Sequence, residues 1–342
     1  MKQLPSISII ARTLNTNLSM FRRVLEAVKM QKYPKKLVEY IVADGGSTNG
    51  TIELAKEYGC KVIQKDFSVD EEARAGLAIK AARGDLILDL ESDNIITSDV
   101  WFLQMVKPFQ ENKNIFFTYS AYNGYEKDMT LTSRYCALIG APDPVLYYLN
   151  KSEKIPLYQQ VYTKGDMLDE TKDYYVIEFN KENLPTLGAN GCMILRSALN
   201  KVNKNALKFT HTDAIAQLVD MGYTTFGVVK NSLIHAAAPR VLDLVRRRVE
   251  VKQKYSDARR GRRKYLVYNS KSAADRFNLM KCILFSMTFV IPFSESIVGY
   301  FRSRDVAWFL HAPISFLLVV GYGISELQFQ FSRIVQRVRK AL

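Results

Sequence analysis

Apolar and polar positions along the first ninety residues follow two alternating periods. Short apolar runs at 7–10, 38–43, 60–64 and 86–90 predict strands. The stretches between them carry apolar residues at helical spacing, as at Leu18, Phe21, Leu25 and Val28, and predict helices over 18–31, 51–58 and 71–82. Strand and helix in strict succession imply right-handed βαβ units, hence an α/β fold with a mostly parallel sheet flanked by helices. Ligands of such sheets bind beyond the carboxyl ends of the strands. Three polar loops leave strands at that edge: ARTLNTN (11–17), ADGGSTNGT (43–51) and ESDN (91–94). The opening run PSISII is too short for a signal segment and reads as the first strand.

The pattern changes after residue 240. Residues 306–325, VAWFLHAPISFLLVVGYGIS, contain no formal charge and are long enough to cross a bilayer as a helix. Residues 282–301 are a weaker span, interrupted by Pro292 and Glu295. Charge divides at the same place: residues 1–239 hold 28 Lys and Arg against 27 Asp and Glu, whereas residues 240–342 hold 20 against 7. Basic runs at 259–264 and 333–340 flank the apolar pair, so the positive-inside tendency puts both ends in the cytoplasm. The partners expected for this tail are anionic membrane lipids. Nucleic acid is not expected, because the cations flank apolar spans instead of interleaving with stacking aromatics. The boundaries that follow are a catalytic domain over 1–239, a basic amphipathic segment over 240–277, and a hydrophobic helical hairpin with a basic tail over 278–342. Cys60, Cys136, Cys192 and Cys282 lie too far apart to suggest zinc or a disulfide framework, which fits a reducing compartment.

Candidate chemistry gathers at the three loops. In LILDLESDNII, Asp89, Glu91 and Asp93 recur at every second position, which sends them to one side of a strand. Either the last carboxylate caps a turn or the group holds a divalent cation together with substrate phosphates. In DGGSTNGT, glycines permit a tight turn, Asp44 can accept hydrogen bonds from a nucleoside, and Ser47, Thr48 and Thr51 can cap the next helix.

Taken in order, these motifs resemble glycosyltransferase family 2, the inverting transferases of the GT-A fold. PSISIIARTLN is similar to the family's opening strand and loop, DGGSTNGT to its D-G-x-S-x-D-G-T segment, and AARGDLILDLESDNI to its A-x-G-(x)n-D-x-D segment. LGANGCMILRSAL (187–199) resembles the acceptor-side glycine loop, and residues 212–235, closed by His235, resemble the segment carrying the catalytic base. The resemblance implies that Thr13, Asn15, Asp44 and Ser47 contact the donor nucleotide and that Glu91 and Asp93 hold Mg2+ or Mn2+. It further implies that Asp213 is the general base, that Asn190, Gly191 and Thr212 line the acceptor or sugar site, and that His235 and Arg248 meet the diphosphate. Departures are Arg12 for a Pro, Asn49 and Glu91 for Asp, and Thr212 for a Glu. VRRRV (245–249) lacks the Gln and Trp of processive members, so single-sugar transfer is expected.

The expected function is transfer of a sugar from a nucleotide-diphosphate donor to a hydroxyl of a lipid-linked or cell-envelope glycan at the cytoplasmic membrane face. Two alternatives stand beside it: transfer to a polyprenyl phosphate, whose acceptor needs no base, and a non-catalytic membrane scaffold that keeps the fold. Residues 118–186 are read as an acceptor-side insertion, with aromatics that suit either sugar stacking or core.

Overall fold

The computed structural model describes residues 3–66, 69–159 and 161–341, without the side chains of 337 and 339–341. Gln160 of the tyrosine-rich stretch and the Arg337, Arg339 and Lys340 side chains of the basic tail therefore lie outside the described residues. In chain order the elements are β1 (Ile7–Thr13), α1 (Leu18–Lys29), β2 (Val38–Asp44), α2 (Thr51–Glu57), β3 (Lys61–Gln64), α3 (Glu71–Ala81), β4 (Leu86–Leu90), β5 (Asn94–Ile96), α4 (Trp101–Glu111) and β6 (Phe117–Asn123). Then come α5 (Leu131–Ile139), α6 (Pro144–Tyr148), β7 (Asp166–Glu170), β8 (Tyr174–Glu178), β9 (Asn190–Leu195), α7 (Arg196–Val202), α8 (His211–Asp220) and β10 (Thr225–His235). The last helices are α9 (Val241–Val251), α10 (Ala273–Thr288), α11 (Val290–Ser303) and α12 (His311–Ala341).

Contacts divide the chain into two units, the first comprising Met1–Gly124, Glu153–Ile155 and Val161–His235, the second Tyr125–Ser152, Pro156–Gln160 and Ala236–Leu342. The first unit holds one sheet in the order β3-β2-β1-β4-β9-β6-β10-β8-β7, with β5 paired to β10. β1 to β4 are mutually parallel, as the alternating periods predict. β9 enters antiparallel between β4 and β6, so the sheet is mixed. Helix starts follow side-chain chemistry: Asn17 Oδ1 accepts from Met20 N at 3.0 Å, and Asp70 Oδ1 from Glu72 N at 2.9 Å. α2 departs from expectation. Its cap is Gly50 at φ +93°, which a side chain would strain, while Ser47 and Thr48 bond elsewhere.

Most aromatics of 118–186 are core in this fold. Tyr135, Tyr162, Tyr174 and Tyr175 are buried, and Phe117 to Ala121 of β6 form an inner strand of the sheet. In the second unit, Tyr135, Leu138, Ile139 and Val145 from α5 and α6 share one apolar core with Leu244, Cys282, Trp308, Ile314 and Leu318. Glu295, which breaks the apolar run in the sequence, finds a partner there: its Oε2 lies 3.0 Å from His311 Nε2, and His311 Nδ1 lies 2.8 Å from the Tyr135 hydroxyl. The stretch Val306–Gln336 is apolar and long enough to cross a membrane; α10 and α11 pass that test only together and meet at 82°. All four cysteines are free and buried.

Candidate active site

The ends of β1 and β2 are laced into one cradle. Asp44 is fully buried. Its Oδ2 accepts from Thr13 Oγ1 at 2.7 Å and Ser47 Oγ at 2.6 Å, and its Oδ1 from the amides of Gly46 and Ser47 at 2.8 and 2.7 Å. Burial alone pushes the carboxyl upward, but these donors outweigh it and hold Asp44 below its ordinary value. Ser47 Oγ in turn accepts from Asn15 N at 2.8 Å, and Asn15 Oδ1 from Thr48 N at 2.8 Å. Thr13, Asn15, Asp44 and Ser47 therefore stand together. Asp44 serves the loop first, since both its oxygens are engaged within it.

Arg74 of α3 lies outside the sequence motifs. Its guanidinium packs on Gly45, where a Cβ would fall 2.5 Å from Nη1, and Nη1 donates to the Val69 carbonyl at 3.0 Å. A lone Arg among Ala and Gly on a buried helix face was the available signal.

The three carboxylates of the opening motif are not used alike. Asp89 and Glu91 both meet Arg12, whose Nη2 contacts Glu91 Oε1 and lies 3.3 Å from Asp89 Oδ1. Burial pushes Asp89 up despite the Arg12 charge. Beyond them the chain turns, with Asn94 N donating to the Glu91 carbonyl at 3.1 Å. Asp93 faces another partner. β5 pairs antiparallel with β10 in the register His235↔Asn94, which brings His235 Nε2 to 4.0 Å from Asp93 Oδ2. His235 Nδ1 lies 2.9 Å from Asn190 Oδ1, a contact that orients the ring and turns Nε2 toward Asp93. Gly191, next to Asn190, has φ +66°, and a Cβ there would meet Leu233 Cδ2 at 2.4 Å. Its left-handed backbone favours Gly.

Asp93 and His235 fit a divalent cation. His235 Nε2 lies 4.0 Å from Asp93 Oδ2, and these two side chains would hold such an ion with substrate phosphates supplying the remaining donors and the ion supplying Lewis-acid stabilisation of the leaving diphosphate. Among the described residues no three His, Cys, Asp or Glu side chains are grouped closely enough to hold a metal by themselves. The family resemblance implies Glu91 with Asp93 at the metal, and in the structure the Glu91 carboxylate also meets Arg12.

α8 presents Asp213 and Thr212 in its first turn. The helix is pinned by Glu72 of α3, whose Oε2 accepts from the His211 amide at 2.9 Å and lies 2.7 Å from His211 Nδ1, while Oε1 lies 3.9 Å from Arg12 Nη1. Burial opposes ionisation of Glu72, but His211 and then Arg12 hold it down to about 2. His211 is raised, since Glu72 outweighs its burial, with Arg12 opposing and Asp89 assisting. The contribution of a raised His is complete below about pH 6.5 and is lost as pH rises through its folded value; that of Glu72 is lost only toward pH 2. Thermal unfolding should therefore show a decline above pH 6.5 that His211→Gln removes. An unchanged alkaline slope in that variant would show that the pair is not its source.

Arg248 lies in the second unit, its Nε 2.7 Å from Asp143 Oδ2, with the Tyr322 hydroxyl 3.1 Å from the same oxygen. That carboxylate accounts for its charge.

The model of glycosyl transferase family 2 matches residues 8–201. The chain belongs to glycosyl transferase family 2. The family 2 region contains the β1 and β2 cradle, the Arg12 network, Asp93 and Asn190, while α8 and His235 follow it. An N-acetylglucosaminyltransferase of Sinorhizobium fredii is 30% identical over 101 residues, 28% of this chain and 24% of that protein. The glycosyltransferase AglE of Haloferax volcanii is 28% identical over 95 residues, 26% of this chain and 31% of that protein. Each match spans less than a third of the relative's length. Among solved structures, the mannosyltransferase PcManGT from Pyrobaculum calidifontis, in complex with GDP-Man and Mn2+, aligns with a TM-score of 0.53 at 12% identity, covering 95% of this chain and 88% of that one. The family 2 chain thus has the GT-A fold.

Proposed function

We propose that the protein is an inverting glycosyltransferase, attached to a membrane by its C-terminal helices, that moves one sugar from a nucleotide-diphosphate donor to a hydroxyl of a lipid-linked or cell-envelope glycan at the cytoplasmic face. The observation that carries this reading is the return of β10 beside β5, which joins His235 to Asp93 at the end of the strand that follows the nucleotide cradle in the sheet. Thr13, Asn15 and Ser47 shape the nucleoside pocket around Asp44, and Arg74 backs the Gly45 peptide. A Mg2+ or Mn2+ ion supplies Lewis-acid stabilisation of the leaving diphosphate. Asp93 and His235 hold it. Asp213 takes the proton of the incoming hydroxyl from the opposite side, and Asn190, Gly191 and Thr212 border the sugar and acceptor. The relatives named for sugar transfer, and PcManGT with its sugar nucleotide and Mn2+, support this assignment.

The test is a panel of nucleotide sugars with Mn2+, read as thermal stabilisation. A ligand at a hundred times its Kd adds about 2.7 kcal/mol to the folded state. One donor should raise the melting temperature only when Mn2+ is present, and Asp93→Asn should remove the Mn2+-dependent part. Absence of stabilisation by every donor would overturn the reading.

A further inference from the structure

We propose that the tail does not cross the bilayer: α10 and α11 form a bent wedge that enters one leaflet, and α12 stays on the side of the helices it packs against. The inference rests on the membrane-attached reading and deepens it. The partner surface is a single phospholipid leaflet, whose headgroup phosphates meet cations at the rim of the wedge.

The stretch that hydropathy favours as a span is the one the fold covers. Within 306–325, Trp308, His311, Ile314, Leu318 and Ser325 are buried, and exposure is confined to positions 306, 309, 313, 323 and 324. α12 is clasped along its length. The Tyr322 hydroxyl donates to Asp143 Oδ2 at 3.1 Å, Arg260 Nη1 donates to Glu326 Oε1 at 2.8 Å, and Lys252 Nζ to Glu326 Oε2 at 3.4 Å. A Cβ on Gly321 would fall 3.0 Å from Val249 Cγ2, so α12 and α9 run in close contact. α9 in turn exposes Arg246, Arg247 and Glu250. Taking α12 through hydrocarbon would strip these contacts or draw the charges of α9 in with it, and both are costly.

α10 and α11 have the opposite character: the weaker span in the sequence is the more exposed in the fold. α10 has 16 residues and α11 has 14, so they are about 24 and 21 Å long, each short of a hydrocarbon core of about 30 Å. They turn by 82° at Phe289, whose φ of +61° lies in the left-handed region where an aromatic residue is rare. The Phe289 ring centroid lies 5.0 Å from that of Phe316, which fastens the elbow to α12. Straightening the pair into one span would break that contact. On the outer side of the elbow Met287, Val290, Ile291 and Phe293 are exposed, whereas Ser286 and Ser296 are buried and Glu295 is held by His311. Cations rim both ends. Arg276 at the start of α10 is exposed, as are Arg302 and Arg304 at the end of α11, while Asp275 and Asp305 are buried. A spanning hairpin would have to carry Arg302 and Arg304 across the bilayer. In a wedge, both ends reach the same headgroup layer, where phosphates complement them.

Single cysteines in the full-length protein, expressed in a bacterial host, read the topology with a membrane-impermeant maleimide, because the four native cysteines are buried. The variants are Lys56→Cys on α2, Ile291→Cys at the elbow, Ser303→Cys at the end of α11 and Gln328→Cys on α12, all at exposed positions. In inverted vesicles, with the cytoplasmic face outward, Ser303→Cys and Gln328→Cys should label within twofold of Lys56→Cys. In spheroplasts all three should label at least tenfold less. Ile291→Cys should react at least tenfold more slowly than the others in inverted vesicles until detergent is added. Labelling of Ser303→Cys or Gln328→Cys from the spheroplast side overturns the inference and leaves membrane attachment standing, as does free labelling of Ile291→Cys in inverted vesicles. A chain recovered in the soluble fraction overturns the attachment and the inference together. If Ile291→Cys is then unreactive and the chain runs as a dimer, the apolar face belongs to a second copy.

Discussion

Asp213→Asn is expected to lower sugar transfer by a factor of about 10²–10⁴, the usual contribution of a positioned general base, with donor binding within twofold of wild type. The substitution is nearly isosteric. Asp213 lies in the first turn of α8, where either Asp or Asn is tolerated, and the helix start is held by Glu72. Loss of the carboxylate also removes a favourable interaction with the helix dipole, worth about 0.3–1 kcal/mol. A melting curve close to wild type, together with normal donor binding, would confine the defect to proton removal. The experiment also separates the acceptors. A phosphate is already anionic and has no proton to surrender, so near-normal transfer by Asp213→Asn would point to a polyprenyl phosphate.

The full-length chain should remain with membranes through high salt and an alkaline wash, and only detergent should release it. α10 presents Phe277, Met280, Ile283, Leu284 and Met287 to solvent, and α11 presents Ile297, Val298 and Phe301. An apolar surface of this extent is unusual on a soluble monomer. Apolar burial is worth about 25 cal/mol per Å², against about 1 kcal/mol for each basic side chain near an anionic leaflet. Hydrophobic insertion should dominate, so screening the charges with salt should leave most of the attachment intact. Release by salt alone would show that these faces meet protein instead of lipid. Truncation after Tyr268 has a second consequence. It strips Cys282, Trp308, Ile314 and Leu318 from the core they share with α5 and α6, and the bared face of Leu138, Ile139 and Val145 should make the shortened chain aggregate. A monodisperse truncated protein would show that α5 and α6 need no cover.

The legible part of the fold was local. Periods of two and of three to four residues announced β1 to β4 and α1 to α3, because each period reports which face of an element is buried, and that information lies within a dozen residues. The nearness of Thr13, Asn15, Asp44 and Ser47 was equally readable: they sit at the ends of adjacent parallel strands, and the βαβ rule makes them neighbours. Loop details were less so. Gly50, and not a hydroxyl side chain, begins α2, since Ser47 was already engaged by Asp44.

Tertiary structure decided which charges meet. Alternation correctly sets Asp89 and Glu91 on one side of a strand, yet nothing local tells that Arg12 is buried against them, or that the turn at Asn94 removes Asp93 from the series. His235 reaches Asp93 through the register of β5 on β10, and Glu72 reaches His211 through the packing of α3 against the 206–208 turn that precedes α8. Glu295, an interruption in an apolar run, becomes a partner of His311 only when α11 and α12 pack. Periodicity encodes the face an element buries. The partner of a buried charge depends instead on which opposite charge the long-range register leaves within reach, and desolvation makes that choice binding because an unpaired buried ion is far costlier than a paired one.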